Sequence, residues 1–179
     1  MWRAAGILAL TLALAACSMP YVPPFTNPSP MAGVTIKDAT GKVVGSGVFI
    51  QESDGVRILV DVKGLPPGVK GVHIHDVGQC VPPSFDSAGP HFNPAKLGHG
   101  LDNPKGPHAG DLPNMTVDDA GQGHLEFTNT RITIKAGPNS IIDDNGSALV
   151  VHEKPDDLRS DPAGNSGARI ACGVITLGG

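Results

Sequence analysis

Most of the chain is built from short segments in which apolar and polar residues alternate, and turn-forming residues separate one segment from the next. In residues 56–63, the clearest example, positions 56, 58, 60 and 62 are all β-branched and three of the four alternate positions are charged. A period of two is typical of a strand with one buried face. The pattern predicts eight strands, at residues 34–38, 44–52, 56–63, 115–118, 123–128, 131–135, 148–152 and 169–177.

Glycine and proline favour an all-β fold over a helical one. The 179 residues include 24 Gly and 17 Pro, which break helices and weaken strand interiors. No stretch of the sequence has a convincing helical period. Short strands separated by turns therefore predict a single all-β domain, either a meander or a Greek-key sandwich or barrel.

The charge of the chain excludes nucleic acid as a partner. The formal net charge is -4, and no run of Lys or Arg makes a local basic field for a phosphate backbone. The chain is 40% hydrophobic and 17% charged, which argues against disorder and allows a buried core at this length.

The first residues predict export and membrane attachment. Arg3 is followed by an uncharged apolar stretch, 4–16, which is too short to span a bilayer and is typical of a signal peptide. Residues 14–17, Leu-Ala-Ala-Cys, resemble a bacterial lipobox, which predicts cleavage after residue 16 and lipid on the thiol of Cys17. The alternative is ordinary signal cleavage with an incidental cysteine at the junction.

Residues 17–32 are predicted to be a tether. They hold five prolines, a composition that favours an extended chain, so we expect the folded domain to span 33–179. Export also places the thiols in an oxidising compartment. With Cys17 committed to lipid, Cys80 and Cys172 are left to form a disulfide.

Residues 81–113 break the strand rhythm. They contain 12 Gly or Pro in 33 positions and no strand pattern, and an irregular loop of that length is typical of a functional segment. Three of the seven histidines lie in it. Imidazoles concentrated in one region of an exported protein indicate a metal site.

The histidine spacing suggests how such a site is assembled. His73 and His75 lie two apart on a predicted strand, so both side chains leave by the same face and can hold one ion. Taken alone, this pair is at least as consistent with two surface histidines. His152 ends another predicted strand, where it can complete the first site. The long loop adds N and O donors that can surround zinc, namely His91, His99, His108 and Asp111.

Five segments, in matching order along the chain, closely resemble those of copper/zinc superoxide dismutase. They are residues 71–75 (Gly-Val-His-Ile-His), 87–94 (Ser-Ala-Gly-Pro-His-Phe-Asn-Pro), 108–112 (His-Ala-Gly-Asp-Leu), 151–154 (Val-His-Glu-Lys) and 164–175 (Gly-Asn-Ser-Gly-Ala-Arg-Ile-Ala-Cys-Gly-Val-Ile). The resemblance extends from about residue 33 to 179. It implies an immunoglobulin-like, eight-stranded Greek-key β-barrel or sandwich with long metal-binding and electrostatic loops.

The resemblance also implies a role for each metal-binding residue. His91 would bind both ions and bridge them, and Asp156, or its neighbour Asp157, would hydrogen-bond one ligand of each ion. The implied copper ligands are His73, His75, His91 and His152, and the implied zinc ligands are His91, His99, His108 and Asp111.

Other implied features surround the two metals. Arg169 matches the arginine that receives the anion beside copper, and the Cys80–Cys172 disulfide would pin the long loop to the last strand. His124 matches no ligand, and we expect it to be solvated. A lysine common in the family before the Gly-Asn-x-Gly stretch is absent, and residues 161–163, Asp-Pro-Ala, stand in its place. This departure leaves the strength of the positive field at the channel mouth open, since Lys154 and Arg159 could compensate for the missing lysine.

The implied activity is dismutation of superoxide to O2 and H2O2 by a redox-cycling copper, with His91 as proton donor and zinc in a structural role. In an exported protein, this activity would protect the cell envelope. The alternative is an envelope copper- and zinc-binding protein without dismutase activity, and Arg169 argues against it because a metal buffer needs no anion site. Family members occur as monomers and dimers, so a homodimer stays open.

Overall fold

The computed structural model describes residues 1–2 and 29–178. Residues 3–16 of the predicted signal peptide, Cys17 and most of the predicted tether therefore lie outside the described residues. Within the described part, nine strands and one short 3-10 helix, Asp86–Ala88, make up the regular structure. The strands are β1 Met31–Asp38, β2 Val43–Gln51, β3 Val56–Lys63, β4 Gly68–Lys70, β5 Val72–His75, β6 Met115–Val117, β7 Gln122–Asn129, β8 Ser147–His152 and β9 Arg169–Leu177.

All the strands belong to one antiparallel sheet, in the order β4-β6-β7-β3-β2-β1-β9-β8-β5. Strands β1 to β3 form a meander, and strands from later in the chain return to pair with its outer members, β9 beside β1 and β7 beside β3. This is the pairing of a Greek key. The fold is therefore the predicted all-β Greek-key barrel.

The barrel closes at Gly71. Strands β4 and β5 stand at opposite ends of the sheet order, yet only this glycine separates them in the chain. The main chain of Gly71 donates a hydrogen bond to Lys154 O (2.8 Å) and accepts one from His152 N (2.8 Å). A side chain there would meet Ser166 Cβ at 3.0 Å, so glycine allows the close approach. Counted as one interrupted strand, β4 and β5 give the predicted eight-stranded architecture.

Two details of the sequence prediction are wrong. Strand β1 begins at Met31, and Ala32 pairs with Phe49 and Leu177 and is buried, so the folded domain starts before residue 33. Residues 131–135 are not a strand; a single bridge from Thr133 to Ser140 is the only ladder contact in that segment.

Residues 131–135 have the apolar alternation of a strand, but the side chain of Gln51 holds their main chain. Ile132 and Ile134 alternate into the core, as a strand would place them, but the main chain is held by a side chain. Oε1 of Gln51 accepts hydrogen bonds from Thr133 Oγ1 (2.8 Å) and Ile134 N (2.9 Å). Its Nε2 donates to Gly55 O at 2.9 Å. One amide thus joins the β2–β3 turn to the loop after β7.

The core inside the barrel is mainly aliphatic. Its largest fully buried side chains include Phe49, Ile58, Ile74 and Leu149, and burial of this apolar surface provides the main driving force for folding. A smaller cluster, consisting of Phe85, Ala88, Ala148, Val150 and Cys172, lies beneath the start of the long loop.

Replacement of Gln51 by Ala should destabilise the domain by about 1–3 kcal/mol, because it removes hydrogen bonds to groups that are partly buried. The midpoint of urea unfolding measures the change. The control is Gln122→Ala, at an exposed position where the structure assigns no side-chain hydrogen bond. Equal midpoints for the two variants would contradict the bridging role of Gln51.

Candidate metal centre

The free edge of β5 brings the long loop to the predicted ligands. Ile74 N donates to Gly110 O and Ile74 O accepts from Phe92 N, both at 2.9 Å, so two parts of the loop continue the sheet beside β5. A Cβ at Gly110 would lie 2.2 Å from Ile74 O, which only glycine avoids. His91 and Asp111, the residues next to these contacts, are thereby set against His75 and His73 in isolated bridges.

Four histidines form the first cluster, and each has a nitrogen without a partner. The ligand atoms of His73, His75, His91 and His152 lie within 4.8 Å of one another, and all four residues are buried. The buried nitrogens without a hydrogen bond are His73 Nδ1, His75 Nε2, His91 Nε2 and His152 Nε2. Because a buried polar atom without a partner is costly, this arrangement fits a metal ion bound by four nitrogens.

The opposite nitrogens fix the orientation of these rings. His75 Nδ1 lies 2.8 Å from Gly89 O, and His152 Nδ1 lies 3.2 Å from Gly167 O. A carbonyl can only accept a hydrogen bond, so these Nδ1 atoms carry the proton, and Nε2 of each ring is left with a lone pair that can bind a metal ion.

The second cluster surrounds one carboxylate oxygen. Asp111 Oδ1 lies 2.9, 3.0 and 3.4 Å from Nδ1 of His91, His99 and His108. Its Oδ2 accepts hydrogen bonds from the backbone N–H groups of Gly100 (2.8 Å) and His108 (2.9 Å). Tetrahedral zinc with bonds near 2.0 Å separates its ligand atoms by about 3.3 Å, so the four atoms suit that ion. His91 contributes Nδ1 here and Nε2 to the first cluster.

Asp156 connects the two clusters. Its Oδ2 lies 2.8 Å from His73 Nε2 and its Oδ1 lies 3.0 Å from His99 Nε2. The main chain of Asp156 is held by Asn114, which donates to Asp156 O and accepts from Asp156 N, both at 2.8 Å. The neighbouring Asp157 is exposed, and its carboxylate accepts hydrogen bonds within its own loop. Asp156 is thus the member of the pair that reaches the histidines.

Burial and hydrogen bonding separate the proton affinities of the two clusters. Desolvation lowers the pKa of His73 to about 3 and that of His152 to about 4, so both rings are neutral at pH 7. Desolvation also acts on His99, but its hydrogen bonds with Asp111 and Asp156 outweigh it and raise the pKa to about 9. Hydrogen bonds from the three histidines hold the pKa of Asp111 far below its usual range, against the effect of burial.

A cavity of about 430 Å³ leads to the first cluster. His75, His91 and His152 line it together with Arg169. The Arg169 side chain donates to Phe85 O and Gly89 O, each at 2.7 Å, so the long loop fixes the guanidinium beside the histidines. Burial lowers the pKa of Arg169, which stays far above neutral because arginine does not deprotonate in proteins.

The disulfide supports the same loop. Cys80 and Cys172 are joined, with Cα atoms 5.7 Å apart, which confirms the pairing expected from the sequence. The bond connects the beginning of the long loop to β9, the strand that begins with Arg169.

His124 lies apart from both clusters. It is on β7, where its Nδ1 lies 2.8 Å from Asp61 Oδ1, and its side chain is 54% exposed. A larger open groove of about 920 Å³ on β2, β3 and β7 includes His124 but none of the clustered donors. The groove therefore has no place in the metal chemistry.

Sequence reasoning missed the polar groups that hold the ligands. The carbonyl oxygens of Phe85, Gly89 and Gly167 were missed because main-chain acceptors leave no mark in a sequence. The side chain of Asn114 was missed because its contact with Asp156 joins residues 42 apart in the chain. Asp161 was visible as an unexpected acid, but its contact with His99 was not.

The fold and the site together define a β-barrel protein with two adjoining clusters of side chains, each of which can hold a metal ion. The first offers four neutral imidazole nitrogens, a donor set that suits copper, and the second offers three nitrogens and a carboxylate, which suit zinc.

Comparison with known proteins gives the family. The family model described as copper/zinc superoxide dismutase matches residues 43–175. Cu-Zn superoxide dismutase 2 of Aquifex aeolicus is 44% identical over 177 residues, which cover 98% of this chain and 99% of the relative. Cu-Zn superoxide dismutase 1 of the same organism is 49% identical over 142 residues, covering 78% and 84%.

Solved structures agree with this assignment. A superoxide dismutase-like protein from Bacillus subtilis superposes with a TM-score of 0.76 at 40% identity, covering 79% of this chain and 96% of that one. Cu/Zn superoxide dismutase from Brucella abortus superposes with a TM-score of 0.68 at 29% identity, covering 82% and 99%. The chain belongs to the copper/zinc superoxide dismutase family. It is a superoxide dismutase that uses copper and zinc.

Zinc binding to the metal-free protein should release about one proton at pH 7, because zinc displaces the proton that His99 holds below its pKa of about 9. The apparent zinc affinity should then rise about tenfold per pH unit up to that value. Titration calorimetry in buffers of different ionisation enthalpy counts the proton. In Asp156→Asn the release should end at a lower pH, since one hydrogen bond that raises the pKa is weakened. An affinity that is flat between pH 6 and 9 would contradict the prediction.

Proposed function

We propose that the two clusters hold copper and zinc in the arrangement implied by the sequence, with His91 as a shared ligand. The observation that carries this proposal is the set of four buried histidine nitrogens without a hydrogen-bond partner. One of them is Nε2 of His91, and the other nitrogen of that ring, Nδ1, faces Asp111. Copper would lie on His73, His75, His91 and His152, and zinc on His91, His99, His108 and Asp111.

Copper, when bound, supplies one-electron exchange, so that two superoxide anions and two protons yield O2 and H2O2. The chain must therefore attract an anion, hold it near the first cluster and deliver protons. The cavity beside Arg169 is lined by three of the four copper-side histidines, so it is the proposed channel for superoxide.

Arg169 is proposed to bind the anion. Its guanidinium is positively charged at every working pH, and hydrogen bonds to Phe85 O and Gly89 O hold it in one place. A fixed cation in a partly dry cavity stabilises negative charge without reorganisation during the reaction. The overall charge of -4 opposes the substrate, so this local charge has to provide the attraction.

His91 is proposed to manage a proton. Its Nδ1 is held toward the second cluster by Asp111 at 2.9 Å, so its Nε2 can release and regain a proton while the ring stays in place. The ring lines the cavity, where a proton on Nε2 is within reach of a bound substrate. Zinc ligation of Nδ1 would preserve this position, which gives the second metal a structural part.

The metal-loaded protein should dismutate superoxide, and Arg169→Ala should lower kcat/KM about tenfold or more at low ionic strength. The loss should shrink with added salt, because screening removes the attraction that the arginine provides. Stopped-flow superoxide decay at several salt concentrations measures both effects. Arg169→Lys should retain more of the low-salt rate than Arg169→Ala, since it keeps the charge.

Arg57→Ala is the matched control for this experiment. Arg57 is exposed on the barrel, where it pairs with Glu126, and it lines no part of the proposed channel. Full metal occupancy without activity above that of free copper would instead favour an envelope copper- and zinc-binding protein.

The cell envelope is the proposed location. The predicted signal peptide and lipobox at Cys17 support export and lipid attachment, and the Cys80–Cys172 disulfide suits an oxidising compartment. Among residues 1–2 and 29–178, no helix is long and apolar enough to cross a membrane. The lipid on Cys17 would provide the attachment, and the proline-rich segment 17–30 would space the enzyme from the surface. There it would remove superoxide that arises outside the cytoplasm.

Cys17→Ala should move the full-length protein from the membrane fraction to the soluble exported fraction. Immunoblots of fractionated bacterial cells, with incorporation of labelled fatty acid, measure the change. Dismutase activity in the soluble fraction should remain, because the substitution lies outside the folded domain. A wild-type protein that carries no fatty acid would contradict the lipid anchor.

A further inference from the structure

Asp161 occupies the place where the sequence suggested a lost lysine, and it contacts the zinc side of the site. Its Oδ1 accepts a hydrogen bond from the backbone N–H of His99 at 2.7 Å. This bond joins the loop between β8 and β9 to the long loop that carries all four donors of the second cluster. The acid is therefore attached to one proposed zinc ligand through that residue's main chain.

The same oxygen faces a second proposed ligand. Nδ1 of His108 is turned toward Asp111 Oδ1 at 3.4 Å, and its Nε2 lies 4.0 Å from Asp161 Oδ1. When a metal occupies Nδ1 of a neutral imidazole, the proton must be on Nε2, which then needs an acceptor. Asp161 is the carboxylate nearest to that proton.

The other two rings of the cluster already have their outer nitrogens assigned. His99 Nε2 lies 3.0 Å from Asp156 Oδ1, and His91 Nε2 faces the four-histidine cluster without a hydrogen bond. For His108 Nε2, the nearest carboxylate is that of Asp161. Metal-binding histidines almost always donate their second N–H to a carboxylate, a carbonyl or water, and these partners set the metal affinity.

We propose that Asp161 is a positioning residue for zinc, holding the main chain of His99 by a hydrogen bond and facing the ring N–H of His108 with its negative charge at 4.0 Å. This inference rests on the proposed zinc ligation by these two histidines. Its carboxylate is 66% exposed, so its contribution comes from geometry and charge near the ion rather than from burial. Residues Pro162 and Ala163, which follow it, line the cavity to the copper side.

A consequence for the enzyme follows from the sign of the charge. A negative side chain in this loop strengthens the attraction for a zinc cation and weakens that for a superoxide anion. The lysine of other family members would have the opposite effect on both ions. The chain thus gains zinc retention at a cost in electrostatic steering.

Two substitutions separate the contacts of Asp161. Asp161→Asn keeps an oxygen that can accept from His99 N but loses the charge that faces His108, whereas Asp161→Ala loses both contacts. Zinc affinity is measured on the copper-free, disulfide-intact protein by competition with a chromophoric chelator at pH 7. We expect about tenfold weaker binding or more in Asp161→Ala, with a smaller loss in Asp161→Asn. The control, Asp119→Asn, removes an equal charge from an exposed turn and should leave the affinity unchanged.

A second measurement distinguishes positioning from a general effect on the fold. In zinc-loaded protein with nitrogen-15 histidine, nuclear magnetic resonance gives the solvent exchange rate of each ring N–H. In Asp161→Asn, exchange of the His108 Nε2 proton should accelerate, while that of His99 Nε2, which faces Asp156, should not.

The outcomes separate this inference from the function on which it depends. If the wild-type protein does not bind zinc, the proposed ligation fails and the inference fails with it. If the wild type binds zinc and both Asp161 variants match Asp119→Asn in affinity and in His108 exchange, only the role of Asp161 is overturned. Equal acceleration of both ring protons would also overturn it, since a specific partner of His108 does not predict that result.

Discussion

Six imidazole rings and two carboxylates share one buried region of this protein, and the need to satisfy their polar atoms governs the structure around them. Each ring has two nitrogens, and burial makes every unpartnered one costly. Asp111 and Asp156 take five of these nitrogens between them, and carbonyl oxygens of Gly89 and Gly167 take two more. Of the five that are left, His108 Nε2 lies 4.0 Å from Asp161 Oδ1, and the other four face one another in the first cluster, where a metal ion would satisfy them.

The barrel positions this region at the edge of β5. The strand order places β4 and β5 at its two ends, and Gly71 joins them, so the seam of the barrel lies beside His73. The seam leaves main-chain groups that the long loop satisfies, with Gly110 and Phe92 bonded to Ile74. The disulfide then attaches the beginning of the loop to β9. Thus the groups that complete the barrel also carry the donors, and ligand geometry and fold are coupled.

Local pattern predicted much of this arrangement. Alternation gave seven of the nine strands because it records which face is buried, and the pair at residues 73 and 75 indicated an eighth. The alternation wrongly predicted a strand at residues 131–135. Ile132 and Ile134 do alternate into the core there, but the main chain is hydrogen-bonded to the side chain of Gln51 and not to a neighbouring strand. The hydrogen bond between Gln51 and Thr133 joins residues 82 apart in the chain, so no local sequence pattern indicates it.

The sequence predicted the metal-ligating residues of the candidate site, but it did not predict the groups that hold those residues in place. The resemblance named seven possible ligands, and the structure gathers all of them into the two clusters. The choice of Asp156 over Asp157 required coordinates, because adjacent acids differ only in where the loop directs them. The role inferred for Asp161 also depends on a bond between two loops that are far apart in sequence. Such supports combine a side chain with a distant main-chain group, which spacing does not encode.

The central claim is that His91 joins the two metal ions through its opposite ring nitrogens. A derivative with Cu(II) in both sites tests it most directly, by electron paramagnetic resonance. A shared imidazolate couples the two unpaired spins, so the account predicts that the Cu(II) signal of the dicopper protein falls far below that of the copper-zinc protein at equal concentration. Two independent Cu(II) signals of full intensity, at confirmed double occupancy, would contradict it.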